Sequence, residues 1–257
     1  MDPSFLAQAI LKDISEKPII KKMHKKNKAK TLAKWMIESK RKPYTGGFPA
    51  YRLQEQSLEI FRNNILNYKS KSTERNVSIA FGDSLIAFIA KNLTQVDYRL
   101  NFAQPGSGSP NFLKTAKDLS AELQDFNIKN VVVGCFGGNP LLSYQDFEEI
   151  KQEASLAFHG LRAMFPDAKI IVYGLPPVYD VYANIFAIEF EKFMIQEVKE
   201  DKNAVFLLLR LKFSDKSGLL PTIKYSSDGV HLRGNAIPIL DKMISEAKTL
   251  PPGTVLY

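Results

Sequence analysis

In Ser78-Ile79-Ala80-Phe81-Gly82-Asp83-Ser84-Leu85-Ile86-Ala87-Phe88, a short apolar run of strand character stops at Gly-Asp-Ser and resumes at once as an apolar run long enough for a helix. A sharp strand-to-helix turn of this kind holds a hydroxyl clear of the sheet and at the positive end of a helix, where developing negative charge is stabilised. Ser84 is therefore a candidate nucleophile. Asp and Ser are also preferred helix-capping residues, and on this stretch alone the cap is the simpler reading of Asp83 and Ser84.

Downstream of Val77, strand-like and helix-like segments alternate. Periodicity places strands near 77–81, 98–103, 130–135, 169–174 and 204–209, and helices near 85–94, 111–126, 144–165, 182–200 and 236–247. Short apolar strands separated by helices of this length indicate right-handed βαβ units and a parallel sheet covered on both faces. The expected fold is a three-layer α/β/α domain over residues 77–257, with a central, mostly parallel five-stranded sheet.

Upstream lies a different composition. Residues 1–76 hold 17 Lys and Arg against 7 Asp and Glu, and the remainder holds 18 against 20, so the whole excess behind the net charge of +8 belongs to the first segment. This segment reads as a basic helical extension. Leu6, Ile10 and Ile14 share one face of a short helix, and a second helix is expected over Lys30 to Ser39 with Leu32, Trp35 and Met36 in its apolar stripe. Lys21, Lys22, Lys25, Lys26, Lys28, Lys30 and Lys34 coat it. Such a coat suits an arm for nucleic acid or an anionic membrane surface, although a charge run is more often simply a solvated face and no aromatics interleave these lysines. The turn-rich stretch Pro43 to Pro49 then leads to a helix over 53–66, with Leu58, Phe61 and Ile65 on one side.

The chain of 257 residues, 45% hydrophobic and 24% charged, is long enough to bury a full core. Its lone cysteine, Cys135, lies in an apolar run and suits a buried, inert thiol. His24, His159 and His231 are far apart and without Cys or His neighbours at ligand spacing, so neither a metal nor a cofactor is expected. No apolar stretch approaches the roughly 18 to 20 residues of a membrane span. The N-terminus also lacks the order of a secretion signal, and a soluble cytoplasmic protein is expected.

In an open parallel sheet, ligands bind beyond the carboxyl ends of the strands. Four pieces fall there or just before the last helix: Gly82-Asp83-Ser84-Leu85, the loop Asn101 to Ser109, Gly137-Gly138-Asn139-Pro140, and Asp228-Gly229-Val230-His231. Singly, each also reads as a turn or a cap. Of the three histidines, only His231 has a carboxylate three residues away across a glycine turn at the predicted catalytic edge. A serine hydroxyl is a poor nucleophile until an imidazole takes its proton, and the imidazole needs a carboxylate to fix its tautomer.

In order and approximate spacing, these four pieces resemble the conserved blocks of the SGNH hydrolases, also called GDSL esterases and lipases. That family carries Gly-Asp-Ser, then a glycine five residues after an asparagine, then Gly-x-Asn-Asp, then Asp-x-x-His. The resemblance implies a flavodoxin-like fold with Ser84 as nucleophile, His231 as general base and Asp228 as its orienting carboxylate. It also implies an oxyanion hole from the backbone N–H groups of Ser84 and Gly106 and the side-chain amide of Asn139. The departure is Pro140, which stands where the family usually has Asp and which disfavours helical backbone angles at Asn139.

The resemblance implies a serine esterase acting on a small-molecule, saccharide or lipid ester through an acyl-enzyme, with O-acetyl or short-acyl groups as its substrates. Two alternatives stand beside it. One is an acyltransferase using the same three side chains; the other is a non-catalytic module that keeps the fold and works through its basic arm. Tyr179, Tyr182 and Phe186 come off the fourth predicted strand at the same edge and either line the site or pack beneath a loop. The N-terminal apolar faces are candidates to cover that edge.

Overall fold

The computed structural model describes residues 50–143, 145–216 and 221–257, so the lysine-rich arm, its two expected helices and the linker at 43–49 lie outside the described residues. Five strands, β1 (Asn76–Phe81), β2 (Asn127–Gly134), β3 (Lys169–Tyr173), β4 (Ala204–Leu207) and β5 (Thr254–Leu256), form one sheet in the order β1-β2-β3-β4-β5. Every pairing is parallel. The register sets Phe81 opposite Val133, Val133 opposite Val172 and Val172 opposite Phe206, so four carboxyl ends are level at one edge. Helices flank the sheet, giving the expected three-layer α/β/α architecture.

The helices are α1 (Ala50–Lys71), α2 (Ser84–Ala87), α3 (Ser109–Asp118), α4 (Ser120–Leu123), α5 (Gly138–Leu142), α6 (Phe147–Met164), α7 (Val181–Glu200), α8 (Arg210–Phe213) and α9 (Ile237–Ala247). Helix α3 packs on α6, α6 on α7, and both α7 and α9 on β4. Val131, Val132 and Val133 are fully buried, as are Ile170 and Ile171, which explains why the central strands read as continuous apolar runs. Helix α1 lies before the boundary expected at residue 76 and shares the same core. Leu58, Phe61, Ile65 and Tyr68 are buried, and Phe61 meets Phe102 edge to face at 5.5 Å.

The strand expected at 98–103 is a single bridge, Asn101 opposite Ala80. Asp97 starts a 3-10 turn over Tyr98–Leu100 by accepting from the Arg99 N–H, and Asn101 Oδ1 accepts from the Ala103 N–H at 3.0 Å. Local side-chain bonds thus displace ladder bonds. The backbone N–H groups of Phe102 and Gln104 donate across, to the carbonyls of Ala80 and Gly82, each at 2.8 Å. The fifth strand is instead β5, near the C-terminus. The helix expected at 85–94 shortens to α2 followed by a 3-10 turn, Ala90–Asn92, and that at 111–126 breaks at Leu119.

The chain therefore leaves β1 toward one edge, where residues 101–104 lie, and returns to β2 on the other side of β1. The connection reverses direction between the carboxyl ends of β1 and β2. That is the topological switch point at which open α/β sheets hold their ligands.

Candidate active site

Asp83 caps α2, its Oδ1 accepting from the Leu85 N–H at 2.9 Å. Ser84 is the first residue of that helix, so its N–H is among those that helix geometry leaves for other acceptors. No side chain fits at Gly82, because a Cβ would stand 2.6 Å from Ile86 Cγ2. Asp83 is therefore the cap, and Ser84 is presented by the helix that Asp83 caps.

The loop before α9 supplies the partners of Ser84. His231 Nε2 lies 2.9 Å from Ser84 Oγ, and His231 Nδ1 lies 2.7 Å from Asp228 Oδ2. Burial disfavours the Asp228 carboxylate. Bonds from the His231 ring and from the N–H groups of Val230 and His231 outweigh that, so its pKa falls well below the usual carboxylate range. An ionised carboxylate only accepts, so the proton of a neutral imidazole sits on Nδ1 and the Nε2 lone pair faces the serine hydroxyl. The other oxygen, Oδ1, accepts from the backbone of Val230 at 2.9 Å and of His231 at 2.8 Å. His159 is engaged elsewhere, 2.9 Å from Glu197, and His24 lies outside the described residues.

Asn139 donates its amide to the Ser107 carbonyl at 2.9 Å, and the Ser107 hydroxyl reaches the Gly82 carbonyl at 2.9 Å. The turns after β1 and β2 and the 104–108 loop are thus stitched together through Ser107. A side-chain amide carries two N–H groups, so the bond to Ser107 fixes the group without exhausting it as a donor. Gly106 has φ +78° and open space above it, so its backbone conformation, not crowding, calls for glycine. Cys135, φ +47°, takes the strained position in the turn after β2; burial pushes its thiol pKa well up, as suits an inert group.

Pro140 does not hold Asn139 extended. Both lie in α5, in the first turn, where a helix requires no intrahelical bond from the missing N–H, and Pro140 packs beside Gly108. Tyr179, about half exposed, lies against Gly229 and donates its backbone N–H to the Gly229 carbonyl at 3.0 Å. Phe186 is buried with its ring 5.7 Å from Phe147, so it packs in the core. The side chain of Tyr182 lies outside the description.

The sequence reading left out three contributors. Ser226, buried, accepts from the Gly229 N–H at 3.0 Å and lies 3.4 Å from Asp228 Oδ1, bracing the turn that carries the carboxylate. Ser107 joins the loops as described. Phe88 sets its ring 5.0 Å from that of His231, and only its position four residues after Ser84 on a helical turn hinted at this.

No family model matches the chain, and no curated protein matches it. Solved structures do. A Streptococcus pneumonia protein with the provisional name platelet activating factor superposes with a TM-score of 0.57 at 14% identity, covering 77% of this chain and 91% of that one. A GDSL-like lipase from Bacteroides thetaiotaomicron gives 0.54 at 15% identity, covering 73% and 98%. TesA gives 0.50 at 21% identity, covering 67% and 97%. The fold is thus the SGNH/GDSL hydrolase fold.

Proposed function

We propose that this chain, which carries the SGNH/GDSL hydrolase fold, is a serine esterase that hydrolyses a carboxylic ester, with O-acetyl or short-acyl groups as its substrates. The observation that carries the reading is the continuous line from Asp228 Oδ2 through both ring nitrogens of His231 to Ser84 Oγ, with separations of 2.7 and 2.9 Å.

In this mechanism Ser84 Oγ attacks the ester carbonyl carbon while its proton passes to His231 Nε2. Asp228 stabilises the imidazolium and holds its orientation. The tetrahedral oxyanion is met by the N–H groups of Ser84 and Gly106 and by the Asn139 amide. Collapse breaks the bond to the alcohol oxygen, which takes the proton from Nε2 and leaves an acyl group on Ser84. Water then gives a proton to His231 as it attacks the acyl carbon, and collapse of that intermediate releases the acid and restores the serine hydroxyl.

Acyl transfer would use the same three side chains and differs in what resolves the acyl-enzyme. Hydrolysis is favoured by the openness of the site, since about a third of the His231 side chain is exposed to water. Pro140 no longer argues for a non-catalytic module, because the first turn of α5 accommodates it. The test is fluorophosphonate labelling and p-nitrophenyl acetate hydrolysis by wild type and Ser84→Ala. Both should vanish in the variant, and undiminished hydrolysis would sink the assignment.

A further inference from the structure

Phe88 is 61% exposed, and its ring partner is His231 at 5.0 Å between centroids and 51° between planes. Its position follows from the nucleophile turn. Phe88 is the C-cap of α2, in right-handed helical conformation, and its N–H donates to the Ser84 carbonyl at 3.1 Å. Residues four apart share a helix face, so Ser84 and Phe88 are presented side by side, and His231 contacts both.

This placement distinguishes the two halves of an ester. The acyl carbonyl oxygen must face the oxyanion donors, which come from the turns at Gly106 and Asn139. The leaving oxygen must lie within hydrogen-bond reach of His231 Nε2, which returns the proton to it. The alcohol portion therefore begins beside the imidazole, whose neighbouring apolar surface is the open part of the Phe88 ring. An aromatic face pairs favourably with an aryl ring that offers its edge or an offset face.

We infer that Phe88 is a specificity-determining residue that binds the alcohol portion of the ester and selects alcohols bearing a flat ring over small linear ones. This inference rests on the esterase reading. Because the imidazole already has Asp228 and Ser84 to hold it, the exposed Phe88 face is available to substrate rather than consumed in bracing His231.

The test compares benzyl acetate with ethyl acetate, whose leaving alkoxides are of similar basicity, in wild type, Phe88→Ala and Phe88→Tyr. Wild type should prefer benzyl acetate in kcat/KM. Phe88→Ala should cut the benzyl-to-ethyl selectivity about tenfold, mainly through KM for the benzyl ester, and Phe88→Tyr should restore it. Selectivity that survives in Phe88→Ala while both rates fall together would show that Phe88 only braces His231, and would overturn the inference. So would a wild type that labels at Ser84 with fluorophosphonate but shows no benzyl preference. A wild type that neither labels nor hydrolyses either ester overturns the esterase reading itself, and this inference with it.

Discussion

The carboxylate of Asp83 lies against the α-carbon of Gly138, where an added Cβ would stand 2.9 Å from Oδ2. The same side chain caps α2 through its other oxygen. Asp83 therefore joins the turn that presents Ser84 to the turn that presents Asn139, and a bulkier residue at either Asp83 or Gly138 would force the two apart.

Asp83 also makes stability depend on pH. Burial raises its pKa from an ordinary 3.8 to about 7, with the Leu85 N–H pulling the other way. The groups around it offer little relief: Cys135 and Tyr173 are buried and bear no positive charge, while Arg210 is paired with Glu191. Between those two values the folded chain binds more protons than the unfolded one, so stability falls as pH rises through the window and levels off above it. Asp83→Asn keeps a good cap and removes the titration. Urea unfolding at about pH 5 and about pH 8 should show a smaller difference in the variant than in wild type, the contribution of Asp83 to the wild-type change between those two pH values being about 2.5 kcal/mol. An equal difference in both proteins would refute the assignment.

Strands β1 to β4 were legible because Val and Ile runs buried on both faces need no turn or partner to declare themselves. Residues 98–104 were not, since the choice between a ladder and a capped turn there depends on where the Asp97 and Asn101 side chains bond. Nor was β5, three residues after Pro251-Pro252-Gly253, too short to show any period. At the site, Ser84, Asp228, His231, Gly106 and Asn139 stood out by residue type and order. Phe88 and Ser226 did not, because an aromatic after a helical turn and a serine before a glycine turn are common features whose role appears only in three dimensions.

Asp228→Asn should separate chemistry from folding. The Asn oxygen can still accept from the Val230 and His231 backbone, so the loop survives, but the amide cannot bind the Nδ1 proton as an anion does. The expected loss in kcat is roughly a thousandfold or more, with the thermal transition close to that of wild type. A loss below about tenfold would mean that His231 takes its orientation from elsewhere.

Asn139→Ala removes the amide proposed as an oxyanion donor and its bond to the Ser107 carbonyl together. The loss should fall on kcat, by about a hundredfold to a thousandfold, with KM little changed, since a donor aimed at the oxyanion acts in the transition state. Ser107→Ala separates the two effects. It leaves the Asn139 amide and the Ser107 carbonyl in place and removes only the hydroxyl, which reaches the carbonyls of Gln104 at 2.7 Å and Gly82 at 2.9 Å, so its cost should be the smaller. Single-turnover kinetics on acetyl esters would distinguish them.

Arg210 and Glu191 are both buried, with Arg210 Nε 3.2 Å from Glu191 Oε2. Arg210 also donates to Asn184 Oδ1 at 2.7 Å and to the Leu175 carbonyl at 3.5 Å, while Asn184 bonds both backbone groups of Val178. The pair therefore pins the loop after β3 that carries Tyr179 to Gly229, beside His231. Arg210→Met leaves a buried carboxylate alone and should cost about 3–5 kcal/mol, whereas the double variant Glu191→Met/Arg210→Met should recover most of that. Burial already raises the Glu191 pKa, and losing the guanidinium raises it further, so the folded single variant takes up a proton that the unfolded chain releases. Its deficit should accordingly be smaller at acid pH and grow as pH rises. Urea unfolding of wild type, single and double variants across that range checks both the coupling and its sign, and a deficit in Arg210→Met that the second substitution does not relieve would mean the loss comes from the loop contacts rather than the stranded charge.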